Sequence, residues 1–566
     1  MDLRQQPGRP GGAALSAAGP GPEPSAAAAP RVGLLRSTAV FSAMTFLSRI
    51  TGLVRDQVYA AVFGASPMMD AFVVAFRIPN FMRRLSAEGS FSMAFVPVLA
   101  EYKARGDHAA VKALVDRVAG TLAAFLLVLT AAAVLAAPWI MPVFAPGFGT
   151  ETEQGRLAAE LLRITFPYAL FISLAALAGG ILNSYGRFAI PALSPLLMNL
   201  SMIAAALCVA PYLAEPVKAL AWGVFVAGIL QLGFQLPSLQ RLGLLPRPRW
   251  GVADAGVRKI MRLMVPTLFG ASVAQVNLLL NTIMASFLIG GSVTWLYYTD
   301  RLLEFPLGMF GVAIGTVILP HLSGRHASTD PQGFSRALDW GFRLCLLIGV
   351  PACLGLILCA EPLIATLFQH GNFTAHDTRM SRLSLVAQAT AVPAFLLVKV
   401  LAPAFYSRQD TRTPVKAAVV AVAGNLLFTV ALLAALLLWT EPGRAALAAS
   451  DGRAFDALGR VSGAHACLAL AIALAGWLNA VQLWWYLRRA AVYAVQPGWR
   501  RFLRQLAVAA VGMVAVVLAL LWLWPDWTTW PWWQRAWRLA VVVGAGALAY
   551  AALLWLQGIR PRDLRH

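Results

Sequence analysis

The amino-acid sequence predicts an all-α polytopic membrane protein with about 14 transmembrane helices: two six-helix lobes forming a parallel internal repeat, then two C-terminal helices. Three observations predict it. Of 566 residues, 59% are hydrophobic and only 13% charged, with a mean hydropathy of +0.68, too apolar for any set of soluble domains. Apolar stretches of about 20 residues recur over almost the whole length, which suits helices rather than a barrel of alternating strands of about ten residues. Basic residues gather in every second connection, as they do in loops on the cytoplasmic side of a membrane.

The elements follow in order. Residues 1–33 are rich in Pro, Gly and Ala and have no long apolar run; a disordered cytoplasmic extension is expected there, without the apolar stretch of a cleaved signal peptide. Gly, Pro and charge clusters then punctuate helices near 34–63, 68–101, 115–143, 157–182, 189–212 and 217–239, which make up an N-lobe over 34–245. A C-lobe over 246–490 holds helices near 257–289, 292–322, 336–360, 382–407, 413–439 and 462–487. The last part, 491–566, holds helices near 501–524 and 536–557 and a short cytoplasmic tail.

If the N-terminus is cytoplasmic, the loops around 102–117, 183–188, 240–262, 323–343, 407–416, 488–504 and 558–566 hold about 25 Lys and Arg, and the opposite side about ten. The loop "APGFGTETEQG" (145–155), acidic and without Lys or Arg, falls on that opposite side. An even number of spans returns the C-terminus to the cytoplasm. This charge bias also explains the net charge of +21 without invoking nucleic acid. The Trp-rich stretch "LWLWPDWTTWPWWQRAW" (521–537) reads as an interfacial aromatic belt.

The repeat rests on two segments. "FPYALFISLAALAGGILNSYGRFAIPALSPLLMNL" and "VPAFLLVKVLAPAFYSRQDTRTPVKAAVVAVAGNL" each carry an early proline (Pro167, Pro393) and an asparagine 32 residues later (Asn199, Asn425). Pro97 and Pro320 correspond at nearly the same offset. With an even number of helices per half, both halves enter from the same side.

Charges inside these apolar helices need an explanation, because each costs about 2.5 to 3.5 kcal/mol at mid-bilayer even on the lenient insertion scale. "SRITGLVRD" (48–56) carries Arg49, Arg55 and Asp56, and the second segment carries Asp70, Arg77, Arg83, Arg84 and Glu88. At about 100° per residue, Asp70, Arg77 and Arg84 share a helix face, with Glu88 close to it. "YYTDRLLEFP" adds Asp300, Arg301 and Glu304, and Lys399 ends a later apolar helix, where snorkelling explains it. Ion pairing with Asp56, Glu88 and Glu304 accounts for part of the set. Because cations exceed carboxylates, Arg49, Arg55, Arg83 and Arg301 are the candidate binding residues for an anion, and forked guanidinium donors suit a phosphate or diphosphate. Asp70, Arg84, Glu88, Asp300 and Glu304 are the candidate charge-network residues.

Other chemistry is not indicated. The five cysteines stand in apolar segments without a CxxC pair and are expected as small core residues; the seven histidines have no metal-binding spacing. There is no GxxxxGK[ST] motif, and no nucleophile or base at useful spacing from the arginines. Neither an enzyme, a cofactor nor a metal is expected.

The runs "MTFLSRITGLVRDQVYAAVFGASPMMDAFVVAFRIPNFMRRLSAEGSFSMAFVPVLAEYK", "WLYYTDRLLEFPLGMFGVAIGTVILP" and "VKVLAPAFYSRQDTRTPVK" strongly resemble the bacterial lipid II flippase MurJ (MviN) family, over nearly everything from about residue 34 onward. The resemblance implies the fold of the multidrug/oligosaccharidyl-lipid/polysaccharide exporter superfamily, in the bacterial cytoplasmic (inner) membrane, with a lipid-facing groove built with the last two helices. It implies movement of lipid II, the undecaprenyl-diphosphate-linked disaccharide-pentapeptide, from the cytoplasmic to the periplasmic leaflet for peptidoglycan synthesis. The family's important central residues match Arg49, Arg55, Asp70, Arg83 and Arg301. Membrane lipids and other cell-wall or division proteins are the further partners to expect. Some relatives use carboxylates on the seventh and eleventh helices for sodium; the corresponding segments here have none, so no such site carries over. A flippase for another polyprenyl-diphosphate saccharide, a small-molecule exporter on the same scaffold, and a membrane enzyme acting on diphosphate lipids are the rival readings.

Overall fold

The computed structural model describes residues 31–86, 90–327 and 330–560, so the expected N-terminal extension, Glu88 and the extreme C-terminus lie outside the described residues. All regular structure among the described residues is helical. The first half comprises α1 (Arg31–Phe63), α2 (Pro67–Ser86), α3 (Ser90–Ala104), α4 (His108–Phe144), α5 (Glu153–Thr165), α6 (Tyr168–Ser184), α7 (Ala189–Ala204) and α8 (Lys218–Arg241). The second comprises α9 (Ala255–Ser286), α10 (Ser292–Ala327), α11 (Pro331–Leu358), α12 (Ala360–Leu367), α13 (Ala375–Ala389), α14 (Val392–Tyr406), α15 (Arg412–Trp439), α16 (Glu441–Ala448), α17 (Ala454–Leu458) and α18 (His465–Arg489). A hairpin of α19 (Trp499–Leu523) and α20 (Trp532–Leu556) follows.

Each expected stretch is helical over its described residues, and the differences have physical causes. Two stretches expected as single helices, 157–182 and 382–407, are broken at Phe166–Pro167 and at Thr390–Ala391, just before Pro393. Proline lacks the N–H that would continue the ladder, so the repeat-related prolines interrupt both copies at matching places. The bend between α13 and α14 is 40°. Short helices α16 and α17 fill a connection where none was expected. Among the described residues nine helices, or ten with the bent pair, are long and apolar enough to cross a membrane. The remaining long segments, α1, α2–α3, α9 and α10, include those that carry the internal charges, so length and apolarity alone do not fix the count at fourteen. Asp107 and Asp254 accept from the first free N–H groups of α4 and α9, and Thr374 with Asp377 forms a capping box at α13.

Helix α1 packs on α7, α2 on α5, and α6 and α7 on α8. In the second half α10 and α11 pack on α14, and α13 and α15 on α18. Helix α9 touches α3, α4 and α15, and α10 touches α2, which joins the halves. Fully buried Tyr59, Tyr168, Phe72, Tyr298, Phe368 and Phe373 fill the cores on either side. Four of the five cysteines are buried or half-buried; Cys208 is exposed, a departure from the expected core role.

The terminal hairpin is docked at both ends. At one end buried Asp339 accepts from Trp499 Nε1 (2.6 Å), Tyr493 OH (2.8 Å) and Arg343 Nε (2.8 Å). Burial first, and then the Asp339 carboxylate, push the Tyr493 hydroxyl above its ordinary range. At the other end Arg535 donates to the carbonyls of Ala365 (2.8 Å) and Gln369 (3.2 Å), at the C-terminus of α12, where free carbonyls and the helix dipole favour a cation.

Candidate functional site

The end of α1 and the first turns of α10 supply the densest charge cluster. Arg55 and Asp56 are adjacent on α1, and Tyr297, Arg301 and Glu304 recur at helical spacing on one face of α10. Asp56 is the shared acceptor. Its Oδ1 takes Arg55 Nη2 (2.7 Å), Arg55 Nε (3.1 Å) and Tyr297 OH (2.7 Å), and its Oδ2 faces Arg301 Nε (3.4 Å). Tyr297 OH in turn accepts from Arg55 Nη2 (3.2 Å) and Arg301 Nη2 (3.5 Å). Arg55 Nη1 donates to Asn199 Oδ1 (3.0 Å) on α7, whose Nδ2 is fixed on Ser48 O (3.0 Å) and Thr51 Oγ1 (3.1 Å).

Accessibility is graded across the cluster. The side chain of Asp56 is 3% exposed, that of Arg301 34% and that of Glu304 56%, with Arg301 Nη1 bound to Glu304 Oε2 at 2.9 Å. Arg55 is therefore saturated and buried, whereas Arg301 presents its edge through an ion pair that a competing anion can reach. Exposed Arg49 lies with its guanidinium directly against the Gly308 backbone on α10; a Cβ there would collide with it. Two guanidiniums share one carboxylate and an exposed third cation lies two turns along α10, an arrangement whose forked donors match the chemistry of a polyanion's oxygens.

The other singled-out residues sit elsewhere. Asp70 is buried and accepts from Gly291 N (2.6 Å), Thr294 N (2.8 Å) and Thr294 Oγ1 (2.6 Å), so α2 caps the N-terminus of α10 from another element. At the same end Asn372, in the α12–α13 connection, donates from N to Ala61 O (2.9 Å) and from Nδ2 to Val62 O (2.6 Å), closing the C-terminus of α1. Gly371 beside it has φ +55° and meets Ala61 O closely, a position that favours glycine. Arg77 donates to Thr282 Oγ1 on α9 (2.6 Å), and Asp300 accepts from Gln388 (2.9 Å). Arg83 donates to Asn80 on its own helix (2.8 Å), and Arg84 is half-buried next to it. Lys399 is exposed, with its stem along Gly311.

The structure thus brings Arg55, Arg301 and Glu304 together and sets Arg49 against the same helix, while Asp70, Arg83, Arg84 and Asp300 lie outside that hydrogen-bonded group. Tyr297, Gly308 and Asn199 carry no charge that would mark them as site residues in the sequence. The available signals were the i, i+4 spacing of Tyr297 and Arg301 and the recurrence of the asparagine in the repeat. Among the described residues no three His, Cys, Asp or Glu gather to hold a metal ion.

The family model described as Lipid II flippase MurJ matches residues 59–532. The chain belongs to the MurJ family. A MurJ relative from Vibrio cholerae, named probable lipid II flippase MurJ, is 42% identical over 539 residues, 94% of this chain and 98% of the relative. A Burkholderia cenocepacia relative, named lipid II flippase MurJ, is 42% identical over 484 residues, 85% of this chain and 89% of its own length. A solved lipid II flippase MurJ in an inward closed conformation superposes with a TM-score of 0.74 at 24% identity, over 93% of this chain and 99% of that one. An inward-facing MATE family multidrug transporter of the MOP superfamily shares the fold at a TM-score of 0.59 and 15% identity, over 80% and 98% of the two chains. Membership of the MurJ family makes this an integral membrane protein of the transporter class.

Proposed function

We propose that this chain is a lipid II flippase, moving the undecaprenyl-diphosphate-linked peptidoglycan precursor from the cytoplasmic to the periplasmic leaflet by alternating access, with both termini cytoplasmic and without chemical conversion of its substrate. The observation that carries the reading is the carboxylate of Asp56 shared by Arg55 of the first half and Arg301 of the second, with Arg301 accessible beside it and exposed Arg49 against Gly308 two turns along α10.

In this mechanism the diphosphate displaces Glu304 from Arg301 and gains Arg49, while Arg55, fixed by Asp56 and Asn199, supplies positive potential from beneath and positions Asp56. Arg83 contributes at the end of α2 as the headgroup enters. The polyprenyl tail stays in lipid. The latches of Asp70 on α10 and Asn372 on α1 hold the halves 34–245 and 246–490 together at one end, so the same rigid halves open at that end only when these bonds break. A substrate of charge near −2 is driven outward by an inside-negative potential, by about 2.3 kcal/mol per charge per 100 mV crossed.

The test is direct. Arg49→Ala and Arg301→Ala, at normal membrane levels, are expected to abolish growth in cells depleted of their own flippase and to stop lipid II translocation; normal growth of both would refute the reading. Using other polyprenyl-diphosphate saccharides in the same translocation assay separates lipid II from its chemical relatives. For the latch, Asp70→Ala removes the acceptor of three donors, worth about 1–3 kcal/mol. Thiol labelling of Ala65→Cys, beside Gly291, is expected to accelerate in that background; an unchanged rate would remove Asp70 from gating.

A further inference from the structure

The hairpin of α19 and α20 carries two arginines one turn apart on the same face, and their surroundings differ. Arg535 is buried, and its guanidinium finds acceptors in four carbonyls: Trp530 O (2.6 Å), Ala365 O (2.8 Å), Thr528 O (3.1 Å) and Gln369 O (3.2 Å). Arg538 has none of these. Its Cζ lies 3.8 Å above the Trp530 ring, with Trp537 at 5.2 Å and Trp524 at 5.8 Å, and its Nε and Nη1 are buried without a hydrogen-bond partner among the described residues.

Stacking uses the face of a guanidinium and leaves its in-plane N–H donors directed sideways, so the tryptophans hold the cation without satisfying it. A second unmet donor belongs to a residue packed on the same ring. Trp527, 3% exposed, packs edge-on against the same Trp530 at 5.6 Å, and its indole Nε1 also has no partner among the described residues. Three buried donors and one positive charge therefore surround Trp530, with no carboxylate among the described residues paired to Arg538. Buried donors of this kind are costly when an acceptor is lacking, more so on the charged group. The complementary group is a compact anion with several acceptor oxygens.

Position identifies what carries that anion. Arg538 stands six residues inside α20, about 9 Å from its start, at the end of the hairpin opposite the C-terminus and within the tryptophan belt. That is headgroup depth. We propose that Arg538 and Trp527 form a binding site for a lipid-linked phosphate, on the outer leaflet under the orientation given above. The tryptophans hold the guanidinium flat, Arg538 supplies the fork, and Trp527 adds a neutral donor. Arg535, saturated by carbonyls, only anchors the hairpin. Ordinary phospholipid phosphate and the phosphates of the translocated substrate share this chemistry.

The experiment is native mass spectrometry of the full-length protein in detergent, titrated with dioleoylphosphatidylglycerol, with dioleoylglycerol, which lacks the phosphate, with undecaprenyl diphosphate and with inorganic phosphate. Arg538→Gln is expected to weaken phosphatidylglycerol binding about tenfold and Trp527→Phe about threefold, in line with loss of a charged and a neutral hydrogen bond, while dioleoylglycerol binding stays unchanged. Should Arg538→Gln lose its fold, Trp527→Phe carries the test, since it keeps both cation and packing. Phosphatidylglycerol affinity within twofold of the parent in the folded variants would overturn the site, as would equal competition by inorganic phosphate. Displacement of phosphatidylglycerol one for one by undecaprenyl diphosphate at lower concentration assigns the site to the substrate; weaker displacement assigns it to bulk phospholipid. Loss of translocation in Arg301→Ala with phosphatidylglycerol binding intact separates this site from the central one.

Discussion

Asn199 and Asn425 occupy the same place in the two copies of the internal repeat, and both are buried, yet they hold different things. Asn199 bridges α7 to α1 and presents its carbonyl to the Arg55 guanidinium at 3.0 Å. Asn425 bridges α15 to α9 and donates to two further amides, Asn277 Oδ1 (2.8 Å) and Asn281 Oδ1 (2.7 Å). One copy uses the asparagine to aim a cation toward the partner half; the other uses it to join two helices by neutral hydrogen bonds. The duplicated scaffold thus kept the asparagine as a packing device in both halves and set it against a cation in only one, so the surroundings of this position are asymmetric although the fold around it is repeated.

The comparison breaks most severely at Asp56. Asp56→Ala leaves Arg55 and Arg301 without their common carboxylate, and loss of one member of a buried ion pair costs about 3–5 kcal/mol. We expect the lowest thermal midpoint of any variant considered and no translocation, measured by unfolding in detergent and by complementation. Next in size, Arg55→Asn gives the first copy the amide chemistry of the second. Asp56 keeps Tyr297 and Arg301, so the loss of stability should be smaller than that of Asp56→Ala, while translocation falls at least about tenfold; full activity would show that the charge on α1 at this position is dispensable. The smallest effect is expected from Asn425→Leu. It removes two hydrogen bonds, worth about 1–2 kcal/mol together, and should leave translocation at the parental level. A loss of transport with unchanged stability there would overturn the division of roles between the copies.

Much of this was legible along the chain. Periodic apolar runs, basic loops and the 32-residue proline-to-asparagine spacing give the class, the helices and the repeat, and the charges of Arg49, Arg55, Asp70 and Arg301 stand out because lipid tolerates so few. Partnerships were not legible. Asp56 neighbours Arg55 in sequence, but Arg301 reaches it from 245 positions away, and nothing local says that Tyr297 will bind all three. Asp70 reads as one member of a charged stripe, and only the approach of α10 makes it a cap on a helix terminus. Hydropathy runs through Pro167 and Pro393 as single helices, and the breaks beside them are visible only in the structure.

Sequence by itself therefore determined that this chain lives in a membrane as a duplicated helical bundle with costly cations inside it, because the solvent and the backbone act on every residue locally. Tertiary structure decided which cations are already answered and which are not. Arg55 and Arg535 are saturated, Arg301 shares its acceptors at an open edge, and Arg538 stacks with no acceptor among the described residues for its buried donors. A guanidinium's chemistry depends on which oxygens lie within about 3 Å of it, and those oxygens come from helices that only folding brings together.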